Sequence, residues 1–233
     1  MTRNPGRSAG LMYILASIPT IFALLYVPSR LFVRGDAAAT VHKIASFETL
    51  FRFGIAADLI GQALFVFVAL ALYELLRGVD QRLALQMLTL ILVAIPIAFL
   101  NEVNSVAALI LSLGGDFLAP LDAPHRAALA MFFLKLRGYG FDIAGIFWGL
   151  WLFPLGLLVY RSGFIPRVLG ALLMIACFAY LANSFTSLVT PTYAAAVARW
   201  MDPVTSVEFV FMLWLAIVGA TPHAITPPRA RPA

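Results

Sequence analysis

The chain has 233 residues, of which 62% are hydrophobic and 12% are charged, and its formal net charge is +5. A soluble domain is typically about half apolar and a quarter charged, so this composition argues against a soluble globular protein. The basic residues lie mostly in short loops and tails, a pattern typical of membrane topology signals and not of nucleic-acid binding. We therefore predict a membrane protein with no nucleic-acid partner.

Six windows of the sequence are long and apolar enough to cross a bilayer, which takes about 20 residues. In chain order these windows are 10–28, 49–73, 84–113, 139–160, 166–189 and 203–221. They predict an all-α integral membrane bundle of six transmembrane helices, within a single domain over 10–221. Residues 1–9 are predicted to form a cytoplasmic tail and residues 222–233 a disordered tail.

Proline residues mark the expected ends and bends of these helices. Pro166 and Pro203 suit the first turn of a helix, where the missing N–H costs nothing. Three further prolines lie inside the windows and predict kinks: Pro19, Pro96 and Pro154. The segment 124–137 is predicted to be either an extra interfacial helix or an outward extension of the fourth span.

The short connections indicate an orientation. The tight turns at 74–83 and 161–165 carry the clearest basic signals, and loops rich in Lys and Arg face the cytoplasm. Both termini are accordingly predicted to be cytoplasmic.

Several polar side chains fall inside the predicted spans, where a charge costs about 2.5–3.5 kcal/mol on insertion scales. With this topology they all fall in the extracytoplasmic half of the bilayer. We expect Arg52 to pair with Asp58, because a guanidinium can bridge carboxylates. Lys135 and Arg137 stand at the mouth of the fourth span. The candidate ligand-binding residues are Arg52, Asp58, Asn101, Glu102, Asp142, Asn183 and Glu208.

These residues leave more than one interpretation open. They form either a polar pocket that binds or transports a small polar or lipid-like ligand, or a buried ion network that holds the bundle together. A second hypothesis is a membrane-embedded enzyme acting on a lipid or isoprenoid, with Asp58 or Glu102 as a protonated general acid. A third is a structural or signalling partner without chemistry. Membrane lipids are the expected partners, and no metal site or cofactor is predicted.

The stretch GIFWGLWLFPLGLLVYRSGFIPRVLGALLMIACFAYL, residues 145–181, resembles the signature of a bacterial multi-pass membrane family filed as domain of unknown function 4386. FRFGIAAD at 51–58, LALYELL at 70–76 and FMLWLAIVGA at 211–220 are similar to that family's corresponding segments. The resemblance implies a protein of the bacterial inner membrane. It implies no particular activity and no catalytic residues.

Overall fold

The computed structural model describes residues 4–221, which form seven helices and no strand. Six of the helices are long and apolar enough to span a membrane. The predicted all-α membrane bundle of six spans is therefore confirmed, and the chain is a multi-pass membrane protein. The helices are α1 (Pro5–Leu31), α2 (Ala37–Ser46), α3 (Glu48–Leu76), α4 (Gln81–Leu113), α5 (Ala123–Ser162), α6 (Arg167–Val189) and α7 (Pro191–Ile217).

The spanning helices form a closed ring in which each helix packs on its neighbours in the sequence, and α7 returns to pack on α1. The short helix α2 connects α1 to α3 in the sequence and packs on α4 and α5. Four helices begin at side chains that accept a hydrogen bond from a first-turn N–H, which satisfies an otherwise unpaired donor. These caps are Asn4, Asp36, Asp80 and Asp122.

One end of the bundle holds both ends of the described chain and is called the terminal end below. There the Gly6 N–H donates to the Ala220 carbonyl at 2.9 Å, and the Ala220 N–H donates to the Asn4 side chain at 2.9 Å. The α3–α4 and α5–α6 turns lie at this same end, joined by an ion pair between Arg161 and Asp80 at 3.5 Å. The seam between α1 and α7 is tight, because a Cβ at Gly10 would meet the backbone of Ala216.

Three spans are interrupted near prolines, which cannot donate the usual helical hydrogen bond. A π-helical turn at Phe22–Tyr26 follows Pro19 in α1. A turn at Trp151 divides α5 just before Pro154, and a turn at Ser206 divides α7 just after Pro203. Pro96 lies inside α4, which continues through it as one helix.

The helix boundaries correct two sequence-based expectations. The segment 124–137 is the outward extension of the fourth span and not a separate interfacial helix, because α5 runs unbroken from Ala123 to Leu150. Pro203 does not open the last span, which begins at Pro191 and contains Pro203 near its central turn. The helix α2 was not predicted, since its ten residues are too few and too polar to form a span.

Of the two predicted tails, only the N-terminal one can be compared with the observed helix bounds. The first helix starts at Pro5, within the predicted tail 1–9, because Asn4 caps its first turn. The predicted disordered tail 222–233 lies outside the described residues.

Candidate functional site

Two carboxylates from neighbouring helices meet one guanidinium inside the bundle. The Arg137 Nη2 atom lies 2.7 Å from Glu102 Oε1 and 3.1 Å from Asp58 Oδ2, and its Nε atom donates to Glu102 Oε1 at 2.8 Å. Asp58 is 1% exposed and Glu102 is 3% exposed. We call these three residues, from α3, α4 and α5, the Arg137 cluster.

The position of Arg137 is fixed by contacts to its backbone and its guanidinium. The Asn101 side chain donates to the Arg137 carbonyl at 2.9 Å, in a space that a Cβ at Gly140 would fill. The guanidinium carbon lies 4.6 Å from the centre of the Phe141 ring, which adds a cation–π attraction. The α4–α5 contact therefore holds the cation in place against both carboxylates.

The Arg137 cluster is closely packed. The void beside Glu102 and Arg137 has a volume of only about 10 Å³. A cavity needs about 10–15 Å³ to hold even one water molecule. The cluster thus leaves no room for an organic ligand, and its geometry is that of an ion network joining three helices.

A larger cavity, of about 220 Å³, lies elsewhere in the bundle between α1, α3, α5, α6 and α7. We call it the Glu208 cavity. Its lining is mainly apolar and rich in aromatic rings. The lining residues are Tyr13, Ala16, Ser17, Thr20, Ile21, Leu24, Gly61, Gln62, Phe65, Trp148, Trp151, Tyr180, Glu208, Phe209 and Met212.

The polar groups of this cavity have few partners. The Tyr180 hydroxyl donates to Glu208 Oε2 at 3.4 Å, and Glu208 is 9% exposed. The Tyr13 hydroxyl, in a side chain that is 2% exposed, has no hydrogen-bond partner among residues 4–221. The Gln62 side chain is also buried. Buried polar groups are normally hydrogen-bonded, so the Tyr13 hydroxyl offers a bond that a ligand could complete.

The Glu208 cavity lies at mid-depth and borders a cleft between α1 and α7. Tyr13 follows Pro5 by eight residues and Glu208 precedes Ile217 by nine, which places both about 13 Å from the terminal end at the helical rise. The two helices contact each other through the Val207–Ile217 half of α7, whereas the Pro191–Thr205 half packs on α6 instead. Ile21 and Phe209, at the cleft, are 44% and 48% exposed.

The predicted site residues do not form one pocket. Arg52 is not the partner of Asp58: it lies on the surface of α3 and pairs with Glu48 one turn away at 2.6 Å. Asp58, Asn101 and Glu102 do come together, but around Arg137. The reason is that the Arg137 side chain lies on the face of α5 that is turned into the bundle. The Arg52 side chain lies on the exposed face of α3.

The other three predicted residues lie apart from this cluster. Asp142 accepts a hydrogen bond from Ser187 at 2.5 Å, which joins α5 to α6. The Asn183 side chain donates to Asp202 at 2.9 Å, which joins α6 to α7. Of the seven predicted residues, Glu208 alone lines the Glu208 cavity. It does not share the predicted half of the bundle with Asp58 and Glu102, because the last span begins at Pro191 and places Glu208 nearer the terminal end.

The sequence analysis missed the cation of the cluster and most of the cavity lining. Arg137 was placed at the mouth of the fourth span, yet the apolar run AALAMFFLKLRGYGF around it is the signal that α5 extends outward. Tyr13, Gln62 and Tyr180 carry no comparable signal, because single polar groups on apolar helices give no spacing pattern. Their common position depends on how the ring of helices closes.

Comparisons with known proteins identify the family but no activity. The family model described as "Domain of unknown function (DUF4386)" matches residues 8–219. An uncharacterized protein of Archaeoglobus fulgidus is 38% identical over 78 residues, which cover 34% of this chain and 45% of that protein. The match thus spans less than half of that relative. No solved structure matches the chain. Because the family model covers nearly all of the described residues, the resemblance seen in the sequence is confirmed and the chain belongs to the DUF4386 family.

Proposed function

We propose that this protein binds an amphipathic, lipid-like molecule that enters the Glu208 cavity sideways from the bilayer, between α1 and α7. The observation that carries the proposal is a mainly apolar cavity of about 220 Å³ at mid-depth, with one buried carboxylate in its wall. Ligand sites are typically concave and apolar with a few placed polar groups.

The size of the cavity supports a ligand that is only partly enclosed. Pockets for drug-sized molecules have volumes of about 300–1,000 Å³, so 220 Å³ suits a small group or one end of a longer molecule. The cleft beside Ile21 and Phe209 supports the same reading, since the rest of an alkyl chain could lie there against lipid.

The same comparison of volumes argues against a ligand at the predicted carboxylates. Asp58 and Glu102 are both bonded to Arg137, and the neighbouring void is about 10 Å³. An enzyme that uses either carboxyl group as a general acid needs a substrate within hydrogen-bond reach. The enzymatic hypothesis stays a prediction without a supporting cavity at those residues.

A photolabelling experiment tests the binding proposal. The protein is placed in lipid nanodiscs with a dodecanol probe that carries a diazirine on its chain, and the labelled residues are mapped by mass spectrometry. We expect labels to concentrate on the cavity-lining residues of α1 and α7. Even labelling over all lipid-facing helices would overturn the proposal.

Two serine variants provide the matched comparison. Ser17 and Ser112 both donate to the carbonyl of the preceding turn, at 2.9 and 2.7 Å, but only Ser17 lines the cavity. Ser17→Phe should fill the cavity and reduce its labelling several-fold. Ser112→Phe should leave that labelling unchanged. Equal labelling in both variants would place the probe outside the cavity.

We also propose that the chain resides in a bacterial inner membrane with the terminal end in the cytoplasm. The basic turns at that end and the family resemblance support this proposal. Cysteines introduced at Gly78 and Gly115, in a Cys177→Ala background, would test it with an impermeant thiol reagent. Labelling of the Gly115 position from outside intact cells, without labelling of the Gly78 position, is the expected result, and the reverse would overturn the orientation.

A further inference from the structure

One wall of the Glu208 cavity is a run of aromatic rings. Tyr13, Phe65 and Trp151 follow one another edge to face, with ring centres 5.1 and 5.6 Å apart. Trp148 and Tyr180 extend this lining. Aromatic rings attract cations through their negative faces, and aromatic cages are a common way to bind ammonium groups.

The charges around the cavity point the same way. Glu208 is the one acidic residue in the lining, and no Lys, Arg or His of the described chain lines the cavity. The guanidinium of Arg137 lies outside this lining and is already shared by Asp58 and Glu102. A buried carboxylate is costly unless it is neutral or paired with a cation. An ionised Glu208 has no cation within this lining, so its counter-charge would have to come from a ligand.

We infer that the ligand of the Glu208 cavity is a lipophilic ammonium ion, with a cationic nitrogen beside Glu208 and the aromatic wall and an alkyl portion in the α1–α7 cleft. This inference rests on the proposed function and adds the chemical class of the ligand. The Tyr13 hydroxyl, which lacks a partner among residues 4–221, is a further polar contact for the ligand's head.

The same lining argues against a phospholipid amine headgroup. Such a headgroup carries a phosphate next to its nitrogen, and the cavity offers no basic side chain from the described residues to receive it. A phosphate beside Glu208 would instead meet a like charge. The depth of about 13 Å from the terminal end also differs from headgroups, which lie outside a hydrocarbon core about 30 Å thick. The ligand is therefore a phosphate-free amine.

Three photoactivatable probes with the same dodecyl chain test the inference in phosphatidylglycerol nanodiscs. Their heads are trimethylammonium, hydroxyl and carboxylate. We expect the ammonium probe to label the cavity at least about tenfold more efficiently than the hydroxyl probe, in keeping with a desolvated cation–π contact. The carboxylate probe should label least, because its charge would face Glu208.

Variants separate the contributions of charge and of aromatic rings. Glu208→Gln should bring ammonium labelling down to the level of the hydroxyl probe, and Trp148→Leu should lower it several-fold while the carboxylate stays in place. Glu74→Gln is the matched control, since Glu74 is exposed and paired with Arg77 at 2.9 Å. That variant should behave as wild type.

The possible outcomes distinguish this inference from the proposal on which it rests. Equal cavity labelling by all three probes would overturn the ammonium inference and leave the lipid-binding function standing. No cavity labelling by any probe would overturn both. In phosphatidylcholine nanodiscs, unchanged ammonium labelling would support a phosphate-free ligand. Its loss there would overturn that part of the inference and identify a phospholipid headgroup as the ligand.

Discussion

Asp58 and Glu102 share one guanidinium at 2.7–3.1 Å beside a void of about 10 Å³, whereas Glu208 meets a single hydroxyl at 3.4 Å beside a cavity of about 220 Å³. All three carboxylates are buried in one bundle. The Arg137 cluster is closely packed, and one oxygen of each of its carboxylates contacts the guanidinium while Asp58 Oδ1 and Glu102 Oε2 have no hydrogen-bond partner among residues 4–221. Glu208 contacts only the Tyr180 hydroxyl and borders a cavity with no cation in its lining. Burial of an acidic side chain in a membrane protein is therefore not enough to identify a site.

The difference follows from the helices that surround each region. The Arg137 cluster lies where α4 packs closely on both α3 and α5. The Glu208 cavity lies among α1, α3, α5, α6 and α7, and three of these helices, α1, α5 and α7, carry proline-associated interruptions. Polar groups in membrane spans are retained where they pair with one another or face a cavity, and this molecule contains both arrangements.

The largest expected effect comes from removing the shared cation. Arg137→Met leaves two buried carboxylates without a partner, which should destabilise the fold by about 3–5 kcal/mol. Thermal unfolding in detergent, followed by intrinsic fluorescence, measures this loss. The triple variant Asp58→Asn, Glu102→Gln, Arg137→Met should recover most of it, because it removes the uncompensated charges. If Arg137→Met unfolds at the temperature of the wild type, the cluster is not an assembly device.

The next largest loss of stability is expected from overpacking the contact between α1 and α7. Gly10→Leu places a side chain against the backbone of Ala216, and this overpacking should cost about 1–3 kcal/mol. Gly138→Leu is the matched control, because a Cβ at Gly138 meets nothing within 4 Å. Detergent melting curves of the two variants compare them directly. Equal melting temperatures would show that the seam tolerates separation along its whole length.

A much smaller effect on stability is expected in the Glu208 cavity. Glu208→Gln keeps the shape of the side chain, and a Gln oxygen could still accept the one long hydrogen bond from Tyr180. The free energy of unfolding should therefore stay within about 1 kcal/mol of wild type. The same melting assay checks this. A loss as large as that of Arg137→Met would mean that Glu208 has a structural partner, and the contrast between the two regions would disappear.

The sequence predicted the fold well and the grouping of polar residues only in part. Six apolar windows are a direct consequence of bilayer thickness, so the number of spans could be read from composition and length. The meeting of Asp58 with Glu102 could be anticipated from their depth. Their cation could not, because the choice between Arg52 and Arg137 depends on which face each helix turns inward. The cavity at Glu208 depends on the splaying of α1 from α7, which no local pattern encodes.

The choice between those two arginines gives the smallest expected effect and a direct check of the partner assignment. Arg52→Ala removes an exposed i,i+4 pair with Glu48, and such surface pairs contribute about 0.3–0.5 kcal/mol. Its melting temperature should be close to that of wild type, beside a large drop for Arg137→Met. A drop of similar size in both variants would mean that Arg52 also neutralises the buried carboxylates. The guanidinium of Arg52 pairs with Glu48, the first residue of α3, and not with Asp58. We therefore expect clearly different melting temperatures for Arg52→Ala and Arg137→Met.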